Sequence, residues 1–96
     1  MTARVDPRIR ARKIGNAAAT ILNLADRVET LNHRIIRLHR IGDVTSAHMN
    51  RGHRDELDLM LLTYHQRAAL EHGRRALDDA LTVERRHRNA AKAVPA

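Results

Sequence analysis

Between Ile14 and Leu38, apolar residues return at alternating steps of three and four. One column of the repeat is Ile14, Ile21, Val28 and Ile35, and the other is Ala17, Leu24, Leu31 and Leu38. That spacing keeps one stripe of a helix apolar and serves no strand. One column is β-branched and the other mostly Leu, a pairing that also suits a parallel coiled coil. Ala18, Leu22, Ala25 and Ile36 widen the stripe beyond a two-stranded seam, so this helix is expected to have more than one neighbour. Pro7, with Asp6 as cap, marks its start, and Gly42 after Ile41 marks its stop. The first helix is therefore expected from about residue 7 to 41, with its apolar body at 14–41.

The stretch 42–54 holds Gly42 and Gly52, Asn50, and the capping side chains Asp43, Thr45 and Ser46. It reads as an irregular turn with at most a short helical turn near 45–50. Apolar periodicity resumes at Leu57, behind Asp55, Glu56 and Asp58, as the positive end of a helix dipole prefers. A second helix is expected over 55–92, with Gly73 as a kink or break and 93–96 as a tail. Leu57, Leu59, Met60, Leu61, Leu62 and Tyr64 almost encircle this helix, which predicts burial on several sides. Leu70, Leu77 and Leu81 continue a broader face.

The expected fold is a single all-α domain: a long antiparallel helical hairpin, with a third helix after Gly73 as the alternative. The chain has no Phe, no Trp and one Tyr, so its core must be aliphatic. A lone hairpin would leave much of its apolar surface in water. Self-association into a helical bundle or coiled coil, or docking on a larger protein, is therefore expected. The core or oligomer interface would use Ile14, Ile21, Leu24, Val28, Leu31, Ile35 and Leu38 from the first helix. From the second it would use Leu57, Leu61, Tyr64, Leu70, Leu77 and Leu81.

The formal charge of +7 is uneven. Residues 1–13 carry Arg4, Arg8, Arg10, Arg12 and Lys13 against Asp6. Residues 84–96 carry Arg85, Arg86, Arg88 and Lys92 against Glu84. The body between holds nine basic and nine acidic residues and is neutral. On a hairpin both basic segments would meet at one end, as a pole for a polyanion or an acidic protein. Bases have no aromatic platform to stack on, and Arg51 and His53 stand where a helix-turn-helix around Gly52 needs apolar residues. Nucleic-acid contact would thus be limited to backbone phosphates. The excess of Arg over Lys also fits a high-GC genome.

Cysteine is absent, which excludes disulfides, thiolate metal sites and cysteine nucleophiles. The seven histidines offer a single Glu-x-x-His spacing, Glu84 to His87, with no second pair to face it, so no metal or other cofactor is expected. Asp78 and Asp79 point in different directions on a helix. Asp43, Ser46 and His48 share one short segment and are explained by capping, so no catalytic set emerges. No apolar run is long enough for a membrane span, and the charged start lacks a signal core. The expected location is cytoplasmic, or inside a particle assembled there. The sequence favours a non-enzymatic helical assembly protein whose basic ends contact nucleic acid or an acidic partner. A structural subunit of a virion or secretion-type complex is the rival, and a small DNA-binding regulator the third reading.

Overall fold

Asp6 and Pro7 start the first helix where their chemistry requires. The Asp6 carboxylate accepts the Arg8 N–H at 2.9 Å, and proline occupies the first turn. The computed structural model describes residues 6–93, and among these the fold is all-α. The helices are α1 (Pro7–Arg40), α2 (Val44–His72) and α3 (Arg74–Ala93).

The junction between α1 and α2 is short and fully bonded. Ile41 N–H donates to Arg37 O, Gly42 N–H to His39 O and Asp43 N–H to Leu38 O. Gly42 takes a φ of 79°, which side chains rarely tolerate. Asp43 then caps α2 by accepting the Ser46 N–H at 3.1 Å. Hydrogen bonds from the backbone and side chain of Ser46 hold the Asp43 carboxyl below its ordinary value.

The expected irregular stretch 42–54 is corrected to a three-residue junction, 41–43, because α2 begins at Val44. Its first turns are held by packing. Ala47 is fully buried, and Arg54 reaches across to donate to Asn32 Oδ1 at 3.1 Å. Gly52 sits exposed in the helix interior, where glycine costs only about 1 kcal/mol. Gly73, with φ 88° and ψ 140°, ends α2 and separates it from α3. The third helix is therefore real, and a continuous helix over 55–92 is not.

α2 runs antiparallel to α1. His39 bonds Arg51, Asn32 bonds Arg54, and Val28 and Leu31 pack with Leu57. Toward the other end Ala17, Ala18, Ile21 and Leu22 form a second cluster with Ala68, Leu77 and Leu81. α3 therefore turns again and runs parallel to α1. Ala76 lies beside Ile14, Leu77 and Leu81 join the cluster, and Arg88 bonds Ala19, Asn23 and Asp26. α1 is the central helix, and α2 and α3 touch each other little.

The result is elongated and thin, 62 × 37 × 16 Å, with a radius of gyration of 17.3 Å against about 12.5 Å for a compact chain of this length. Its surface is 7880 Å², where a compact monomer of 10.9 kDa exposes about 5,600 Å².

Candidate docking groove and basic surfaces

Most of the expected core residues are inside. Ile21, Val28, Leu31, Ile35, Leu57, Leu77 and Leu81 are buried. Ile14, Leu24 and Leu61 are half-buried against the clusters, and Leu38 is half-buried near the junction. Tyr64 and Leu70 lie outside the core of the single chain. Tyr64 is exposed, and Leu70 is 88% exposed on the outer face of α2. Within one chain α2 is buried on one side only, and Leu59, Met60 and Leu62 are each more than half exposed.

Two of these leucines line a groove. Because α3 leans on α1 and diverges from α2, a wedge of about 690 Å³ opens between them. Ile21, Leu22 and Ala25 form its floor. Leu59 and Leu62 stand on the α2 wall beside Asp55 and Asp58, and Arg85 stands on the α3 wall. An apolar floor between an acidic and a basic rim fits a helix with matching charges better than a small polar substrate.

The two basic segments do not form one pole. Arg4 lies outside the described residues. Arg8, Arg10, Arg12 and Lys13 occupy the first turns of α1 and are exposed. α3 carries Arg85, Arg86, Arg88 and Lys92 up along α1 instead of back to its start. The level of Asn23 is roughly 20 Å from that of Arg10 at the helical rise. That separation is about two Debye lengths in physiological salt.

Arg88 is also committed internally. Its Nε donates to Glu84 Oε1 at 3.1 Å and its Nη1 to Asp26 Oδ2 at 3.1 Å. Its Nη2 donates to the Ala19 carbonyl at 3.1 Å and to Asn23 Oδ1 at 2.8 Å. This fork fastens α3 to α1 and leaves the guanidinium little capacity for a phosphate.

A different basic end takes the place of the expected one. The reversal at Gly73 brings Arg74 and Arg75 to the end where α1 starts, since Ala76 lines the same surface as Pro7, Arg10 and Ile14. Arg67, Lys13 and His72 lie on the adjoining face of α1 and α2. Among the described residues, Arg8, Arg10, Arg12, Lys13, Arg74 and Arg75 take part in none of the ion pairs. The sequence signal for Arg74 and Arg75 was Gly73 read as a reversal and not as a kink.

Among the described residues, no three or more His, Asp or Glu side chains converge as metal ligands. Glu29 and His33 form an exposed contact of 3.6 Å on one helix face. No described helix is long and apolar enough to cross a membrane. The chain matches no protein-family model, and no similar curated protein or solved structure was found.

Proposed function

We propose that this chain is a non-enzymatic helical assembly protein that associates with further copies of itself through α2 and the groove beside it. The observation that carries the reading is surface. The folded chain exposes about 2,300 Å² more than a compact monomer of its mass. A stable interface buries about 800 Å² or more on each partner, so the excess is of the size that association removes. Leu59 and Leu62 place apolar side chains where that surface is concave. The structural-subunit reading uses the same surface with a different protein as the occupant.

Sedimentation from micromolar to hundreds of micromolar concentration tests self-association. The wild type should form dimers or larger species. Leu62→Asp, at an exposed position, should give monomers with unchanged helicity. A wild type that stays a folded monomer throughout would overturn the reading.

A second function is favoured by the basic end. Arg8, Arg12, Arg74 and Arg75 present charge without ion-paired acids, a surface suited to phosphate backbones without base readout. Binding to generic duplex DNA should fall steeply as salt rises. Neutralising Arg8, Arg12, Arg74 and Arg75 should weaken it more than neutralising Arg85 and Arg86. Absence of binding at low salt removes nucleic acid as a partner.

A further inference from the structure

We propose that the partner copy docks by exchanging α3, with Gly73 as the hinge. This deepens the self-association reading and rests on it. A single residue separates two helices, and its backbone alone sets the bend. Gly73 N–H still bonds Ala69 O, and Leu77 N–H bonds Gly73 O. The bonds that the bend interrupts are those from Arg74, Arg75 and Ala76 to Leu70, Glu71 and His72. If Gly73 turns helical, these three bonds form. α2 and α3 then fuse into one helix from Val44 to Ala93, about 75 Å long.

Fusion removes α3 from its own α1 and carries Leu77, Leu81 and Arg88 to the α1 of the second copy. The α1–α3 contacts made there are the ones already seen within one chain, so only the closure of α3 onto α2 across the wedge is new. What it adds is a seam. Leu62, Ala69, Ala76 and Val83 fall seven residues apart across the bend. Leu59, Gln66, Gly73 and Ala80 form the column three residues before them. In the bent chain this heptad pattern is cut in two and mostly open to water, with Leu62 56% and Val83 65% exposed.

Straightened, the two columns make one narrow stripe centred on the hinge. Two such helices, antiparallel about a two-fold axis, would set Leu59 against Val83 of the other copy and Leu62 against its Ala80. At the centre Ala69 would meet Gly73, and Gln66 would meet Ala76. The small residues cluster where the helices cross, which lets the backbones approach closely. Leu70, nearly fully exposed one turn before the hinge, flanks the same crossing. The occupant of the open α2 face is therefore a second copy of this helix. The observation specific to it is that the heptad continues through the residue that breaks it.

The test uses Gly73→Ala. A Cβ at Gly73 meets nothing within 4 Å, so the substitution acts through backbone preference alone. It disfavours φ 88° and favours the straight helix, and should tighten dimerisation on the order of tenfold or more. The chain has no cysteine, so Ala25→Cys with Arg85→Cys, which line the same groove and lie outside the Arg88 fork, joined by a short thiol cross-linker, reports which α1 each α3 occupies. Exchange predicts a dimer cross-linked between chains. A dimer cross-linked only within each chain overturns the exchange and leaves self-association standing. A monomer cross-linked within itself overturns both. Inserting Gly-Ser-Gly after Gly73 prevents a continuous helix without forcing strain on the bent form. It should return the protein to monomer, and an undiminished dimer would overturn the exchange.

Discussion

The two junctions of this chain solve the same geometrical problem with opposite chemistry. At 41–43 three backbone bonds close the end of α1, Gly42 supplies the left-handed residue, and Asp43 caps the next helix. At Gly73 one residue does everything, and no capping side chain precedes α3. The first junction holds its helices in place by itself. The second depends on what α3 touches afterwards, namely Leu77, Leu81 and the Arg88 fork. A junction specified locally makes a stop, and one specified by distant contacts makes a hinge.

The largest effect expected from breaking that contrast is at Leu77, which is 1% exposed between α1 and α2. Leu77→Ala should cost about 2–5 kcal/mol in denaturant unfolding. The loss should appear first as undocking of α3, with the α1–α2 hairpin retained. Arg88→Ala removes four hydrogen bonds at the other end of α3 and should cost about 1–3 kcal/mol. Arg88→Lys should restore little, because an ammonium lacks the planar fork. Recovery of full stability by Lys would show that charge alone fastens α3.

Smaller effects separate the glycines. Gly52→Ala should stabilise by roughly 0.5–1 kcal/mol, because the position is helical and open. Gly42→Ala should destabilise by about 1 kcal/mol, because φ is 79° there and space is not the constraint. The smallest effect is at Asp43. Its carboxyl titrates below the ordinary value of 3.8, so its contribution is complete above that pH and disappears as pH falls through the lower folded value. Asp43→Asn should flatten the pH dependence of thermal stability below about pH 4 and leave it unchanged at pH 7.

The heptad columns of the first helix made its inward face legible from spacing alone, because one surface of α1 serves as core along its whole length. Leu57, Leu77 and Leu81 were legible for the same reason. The spacing of Leu70 and Tyr64 fits an apolar face in the same way, and one chain leaves that face open. The start of α2 was obscured by Gly52, where local propensity pointed to a turn and the burial of Ala47 prevailed. The charge at the ends was plain in the sequence, but its meeting place was not. A single φ angle at Gly73 decides whether the C-terminal arginines return to the start of α1 or climb along its side.

The Arg88 fork joins residues 62, 65 and 69 positions apart in the chain. Such contacts carry the greatest loop-closure entropy and form late, after the local α1–α2 pairing. While the chain is being synthesised, the α3-facing side of α1 around Ile21 and Leu22 stays uncovered until α3 emerges. Its amides should therefore exchange with solvent through a lower-energy opening than those between Val28 and Leu57. Neighbouring nascent chains would meet at that uncovered strip before each has closed its own.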